Sequence, residues 1–101
     1  MAVKIEKKSS NSIYALLDGD IDHHSAKGIR EKIDEEIEKN RPNLLTLDFG
    51  KVNFMDSSGI GLILGRYKLM KFLKGNIEII NASPRIERII KLSGLCKLKS
   101  S

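Results

Sequence analysis

The chain changes hydrophobic rhythm several times, and each change marks an element. Val3 to Lys7 alternates apolar and charged side chains, the period of a half-exposed strand. "SSNS" reads as a turn and "IYALLDG", Ile13 to Gly19, as a second strand, so a hairpin is expected to open the fold. From His23 to Lys39 the period lengthens. Ala26, Ile29, Ile33 and Ile37 recur every three or four residues, with Glu31, Lys32, Glu35 and Glu38 elsewhere, which predicts an amphipathic helix. Pro42 in "NRPN" stops that helix and biases Arg41 toward an extended backbone. "LLTLDFG", Leu44 to Gly50, is almost continuously apolar and predicts a strand buried on both faces.

A second helix is expected after "MDSSG", with Ile60, Ile63, Leu64 and Tyr67 on its apolar face and Gly75 ending it. "IEII", Glu78 flanked by isoleucines, predicts another buried strand. Pro84 opens a short helix reaching about Leu92, with Ile86, Ile89 and Ile90 inward. "CKLK", Cys96 to Lys99, reads as a brief final strand. The resulting order, β-β-α-β-α-β-α-β, has no repeat or linker. It predicts one α/β domain over 1–101, with a mixed, mostly parallel sheet of four to five strands and packed α-helices. Right-handed crossovers gather the carboxyl ends of the parallel strands and the amino ends of the following helices on one edge. Partners and ligands of open α/β sheets usually sit there.

Composition narrows this reading. A hydrophobic share of 41 % with 31 % charged residues suits a globular chain and excludes disorder. No stretch approaches the ~20 apolar residues of a membrane span, and "MAVKIEKKSS" lacks a signal-peptide core, so a cytoplasmic protein without a membrane partner is expected. Cys96 is the only cysteine, which excludes an internal disulfide and a multi-cysteine metal site. The net charge of +5 would suit nucleic acid, but the 18 Lys and Arg residues are scattered from Lys4 to Lys99. Aromatic residues are too few for a stacking platform, so no direct nucleic-acid partner is expected.

The candidate chemistry lies at two helix entrances, "DGDIDHHSA" and "VNFMDSSGIG". If Ile13–Leu17 and Leu44–Phe49 are parallel neighbours, Asp22 and Ser57 share one rim. Asp22, His23, His24 and Ser25 resemble a metal triplet, but a hydrolytic metal site needs further ligands and these are the only two histidines. No metal or cofactor is therefore expected, and Asp22 reads as a helix cap. Asp56, Ser57 and Ser58 are all preferred caps, yet only one side chain can fill that role. Gly59, Gly61 and Gly65 cost the second helix stability, about 1 kcal/mol each relative to alanine. They read as clearance for an approaching partner that leaves Ser57 open. A phosphoryl group on Ser57 would meet the positive helix end. A catalytic serine is disfavoured because "MDSSGIG" is not a G-x-S-x-G elbow, and no "GK[ST]" follows for a phosphate loop.

Three blocks, "GDIDHHSA", "LDFGKVNFMDSSGIGLILGRYK" and "SPRIERIIKLSGL", resemble the STAS-domain anti-sigma factor antagonists, particularly the sporulation type that regulates sigma-F. The likeness covers nearly the whole chain, and its central block is the specific one. It implies a switch protein and no enzyme. Such antagonists bind an anti-sigma factor that is also an ATP-dependent serine kinase, and so release the sigma factor. The kinase phosphorylates the first serine of a D-S-[ST]-G motif, which falls on Ser57. That breaks the complex, and a PP2C-type serine phosphatase reverses it. Ser58 then remains the cap, and Asp22, Asp56, Ser58, Gly59 and Ile60 are expected to contribute to the docking rim. An alternative is a STAS scaffold or sensor module in another, stress-response, signalling complex. The chain is basic where many members are acidic, and it ends at "KLKSS" where they commonly run on into a further helix.

Overall fold

The computed structural model describes residues 2–94. Strands β1 (Ala2–Ser9) and β2 (Ser12–Ile21) form the expected antiparallel hairpin, with Val3 opposite Leu17 and Ile5 opposite Ala15. Helix α1 (Ala26–Asn40) leads to β3 (Leu44–Met55), α2 (Ser57–Phe72) to β4 (Asn76–Ile80), and α3 (Pro84–Leu92) follows. β3 runs parallel to β2 and β4 parallel to β3, giving the sheet order β1-β2-β3-β4. The expected final strand at Cys96 to Lys99 lies outside the described residues.

The core sits on one face of this sheet. Ile13, Ala15 and Leu17 of β2, Leu45, Leu47 and Phe49 of β3, and Ile77 and Ile79 of β4 alternate onto it. Ile29, Ile33 and Ile37 of α1, Leu62, Ile63 and Met70 of α2, and Ile86 and Ile90 of α3 close over them. Both parallel crossovers run in one direction, so right-handedness places α1 and α2 on the same side. The expectation that β3 is buried on both faces is therefore corrected. On its other face Leu44 and Thr46 are only half-buried, and Asp48 stays sheltered because Tyr14, Asn81 and the Gly50 N–H all donate to it.

Three local expectations also change. α1 starts at Ala26, not His23, because residues 22–25 form a separate turn. Arg41 is left-handed (φ 46°) instead of extended, and its N–H closes the helix on the Ile37 carbonyl at 2.7 Å. The buried face of α2 is Gly59, Leu62, Ile63, Arg66 and Met70, while Ile60, Leu64 and Tyr67 are half-buried. Arg66 is buried with its Nε 2.7 Å from Asp34 Oδ1 on α1, an ion pair whose two contacting atoms lack hydrogen-bond geometry. α3 matches its expected bounds, with Pro84 in the first turn and the Ser83 hydroxyl accepting from the Ile86 N–H.

Candidate functional site

The two helix entrances meet because β2 and β3 are parallel and end level with each other. Asp20 pairs with Phe54 and Ile21 with Met55. One residue on, the Asp56 N–H donates to the Ile21 carbonyl at 3.1 Å, so the end of one strand holds the entrance of the other helix. Asp22 and Ser57 thus stand on one rim, as the topology required.

Asp22 caps, but it caps the turn before α1. Its Oδ1 accepts from the N–H groups of His24 (2.9 Å) and Ser25 (3.1 Å), while its own N–H donates to Ser25 Oγ (3.1 Å). This reciprocal arrangement is a capping box. Ser25 Oγ also donates to the Asp20 carbonyl at 3.0 Å, tying the turn back to β2. The Ser25 N–H bond chiefly holds the Asp22 carboxyl below the usual carboxylate range, against a smaller opposing push from burial, and the His24 N–H adds to the lowering. His23 and His24 are exposed, with ring centroids 4.0 Å apart. Among the described residues no three His, Cys, Asp or Glu side chains are grouped to hold a metal ion.

At the second entrance the structure corrects the cap assignment. Asp56, extended at φ −103° and ψ −168°, is the N-cap, and its Oδ1 accepts from the Ser58 N–H at 2.8 Å. Its carbonyl accepts from Gly59 N–H at 2.9 Å. Ser58 contributes its backbone, not its hydroxyl, to the cap. Ser57 is exposed as the first helical residue, and its hydroxyl has no hydrogen-bond partner among the described residues.

The three glycines do different jobs. Gly59 is buried, and a Cβ there would overlap the Met55 side chain and sit 3.4 Å from Ile21 Cγ2. Its missing side chain makes room inside the protein, which corrects the expectation that it clears the way for a partner. Gly61 and Gly65 would place a Cβ in open space, so the outward surface of α2 is bare there. Ile60 is half-buried against the core. Sequence reasoning passed over Phe54, which is 47 % exposed on the strand end next to the motif. A large apolar side chain left in water beside a polar rim is the signal that could have found it, but only exposure reveals it.

The pattern matches one protein family. The STAS domain model matches residues 2–99. The chain is a STAS domain. It is 34 % identical over 97 % of its length to an anti-sigma F factor antagonist from Paenibacillus polymyxa, spanning 85 % of that protein. An anti-sigma-B factor antagonist from Bacillus subtilis (strain 168) is 33 % identical over 88 % of this chain and 80 % of its own. Among solved structures, this STAS domain is similar to the anti-sigma factor antagonist SpoIIAA in its unphosphorylated form. The TM-score is 0.87 at 32 % identity, over 97 % of this chain and 85 % of that one. The phosphorylated form of the Bacillus cell fate determinant SpoIIAA matches with a TM-score of 0.79 at 32 % identity, over 97 % and 88 % of the two chains. The fold is the α/β fold of that family. No helix among the described residues is long and apolar enough to cross a membrane.

Proposed function

We propose that this chain is an anti-sigma factor antagonist switched by phosphorylation of Ser57. Its unphosphorylated form binds an anti-sigma factor with serine kinase activity and so frees a sigma factor. Its modified form lets go, and a PP2C-type serine phosphatase resets it. The protein acts in the cytoplasm as a binding switch and not as an enzyme.

The observation that carries the reading is the division of labour at the α2 entrance. Asp56 does the capping, so the Ser57 hydroxyl is exposed and unengaged and can change without undoing the helix. The similar SpoIIAA exists in phosphorylated and unphosphorylated forms, which supports the same for this chain. A phosphoserine carries a charge of about −1.5 to −2. The fold tolerates it because the positive end of α2 lies under it. A docked partner does not, since the dianion must be desolvated without a new cation, beside the Asp56 carboxylate. Each 1.4 kcal/mol or so of that penalty weakens binding tenfold, so release needs no refolding. Asp22, Asp56, Ser58 and Ile60 frame the docking rim, and Phe54 supplies its apolar anchor. Gly59 acts from beneath by seating the helix on Met55.

The test is mass spectrometry of the protein after incubation with ATP and its anti-sigma factor kinase. One phosphate is expected, absent in Ser57→Ala, with Ser57→Asp binding the kinase more weakly. Unchanged incorporation in Ser57→Ala would sink the site. The similar identity to the anti-sigma-B antagonist favours one second reading, the same switch in a stress-response complex. Binding assays against both classes of anti-sigma factor separate the two.

A further inference from the structure

Arg66 is a charge in an awkward place. It is 6 % exposed in the most apolar helix of the fold, and its Nε meets Asp34 Oδ1 at 2.7 Å without hydrogen-bond geometry. The one hydrogen bond its guanidinium donates among the described residues is long, from Nη1 to the Leu62 carbonyl at 3.4 Å. Burial is the leading influence on both groups, pushing Arg66 down and Asp34 up ahead of their mutual attraction. Arg30 acts on both as a lesser neighbour, and Glu38 on Asp34. A pair so poorly bonded adds little stability, and apolar side chains of similar volume often serve as well or better.

What the pair does supply is direction. Gly59, Leu62, Ile63, Arg66 and Met70 form the buried stripe of α2, but Ile60, Leu64 and Tyr67 form a second apolar stripe. Ile60 and Tyr67 already lean on the core. At 3.6 residues per turn the two stripes are about a quarter turn apart. Apolar burial is non-directional, so Ile29, Ile33 and Ile37 of α1 do not choose between them. Gly59 permits the observed setting by leaving room for Met55, but has nothing with which to enforce it. Among the described residues, the Asp34 contact is the one hydrogen bond or ion pair that joins α1 to α2. Ser57 precedes Arg66 by nine residues, about two and a half turns, so the serine stands on the opposite side of the helix. Turning α2 to bury its other stripe would swing Ser57 about a quarter turn toward the core side.

We infer that Arg66 and Asp34 are positioning residues: their contact selects which apolar stripe of α2 lies against the core, and so aims Ser57 and Gly61 outward. The other setting is disfavoured because it parts the guanidinium from its carboxylate. The effect on partner binding rests on the proposed role of Ser57, whereas the setting of the helix does not.

Asp34→Leu with Arg66→Met tests this by removing both charges while keeping apolar volume. The double variant is expected to unfold at the wild-type temperature or above. Amide-resolved NMR of the full chain should give one set of α2 signals for the wild type and doubled or exchange-broadened α2 signals for the double variant. Asp34→Arg with Arg66→Asp restores the attraction with the charges exchanged, and should return one set. If the competent setting falls to between about one-half and one-tenth of the molecules, affinity for the proposed anti-sigma partner drops by about two- to tenfold. A double variant with one set of α2 signals at the wild-type positions overturns the proposal. So does one that loses its fold, because the pair would then be a prop of stability, and so does an exchanged pair whose signals stay doubled. Doubled signals with unchanged affinity would uphold the helix setting and count against the docking rim.

Discussion

Replacing Gly59 and Gly61 by alanine, one at a time, sets the same chemical change in two opposite environments. At Gly61 a Cβ meets nothing within 4 Å, so the substitution should act through helix propensity alone. It is expected to stabilise the fold by about 0.5–1 kcal/mol. At Gly59 the same methyl overlaps the Met55 side chain, which is 2 % exposed, and sits 3.4 Å from Ile21 Cγ2. Overpacking of this kind costs about 1–3 kcal/mol, against the same propensity gain of about 1 kcal/mol. Gly59→Ala should therefore be neutral to about 2 kcal/mol less stable than the wild type. The gap between the two variants isolates the overlap at about 1–3 kcal/mol, and each kcal/mol shifts Tm by about 4–8 °C at this chain length. Urea denaturation reads it as separated midpoints with an unchanged slope. Gly59→Ala at least as stable as Gly61→Ala would refute the packing argument. Because Gly61 lies on the bare outer surface of α2, its variant should also bind the proposed anti-sigma partner more weakly while being the more stable protein.

Other consequences are as direct. Asp56→Ala removes the observed cap of α2 and should cost about 1 kcal/mol, with Ser58→Ala changing stability by under about half of that; comparable losses by thermal denaturation would reinstate a capping role for the Ser58 hydroxyl. Burial alone would raise the Asp48 carboxyl, but the bonds donated by Tyr14, Gly50 and Asn81 together hold it below its ordinary value. A depressed folded pKa gives stability that is present above the unfolded pKa and lost as pH falls through the folded one. Tyr14→Phe should therefore narrow the difference in stability between neutral pH and strongly acidic pH, and an acid unfolding curve parallel to the wild type would contradict this. Phe54→Ala should weaken binding of the proposed anti-sigma partner about tenfold or more with little change in Tm, a result that unaltered affinity by calorimetry would rule out.

How far each element could be read from its residues depended on whether the deciding contact was local. α3 was legible because its cap, Ser83, its first-turn Pro84 and its inward isoleucines all lie within nine residues of one another. α2 was legible as a helix but not in its facing. Leu62, Leu64, Leu69 and Leu73 surround it with apolar side chains, so periodicity names no face, and the burial of Arg66 depends on Asp34, 32 positions away. Asp56, the residue that caps, is also the one whose N–H is held by the Ile21 carbonyl at the end of β2, a contact no local pattern encodes. Gly59 and Gly61 look alike in sequence and differ only in what lies beneath them. The shared rim, in contrast, was legible from element order, because parallel connection leaves the helix entrances nowhere else to go.

The hydrogen bond from the Asp56 N–H to the Ile21 carbonyl bears on how often the protein can be reused. It ties the α2 entrance to the end of β2, so the phosphoryl group proposed for Ser57 would sit on an entrance anchored to the sheet. A switch written in charge on an anchored entrance has nothing to rewind once the charge is removed. Under the proposed switch, each molecule would return to service without memory of its last cycle, and the pace of the cycle would be left to the kinase and phosphatase proposed to write and erase the mark.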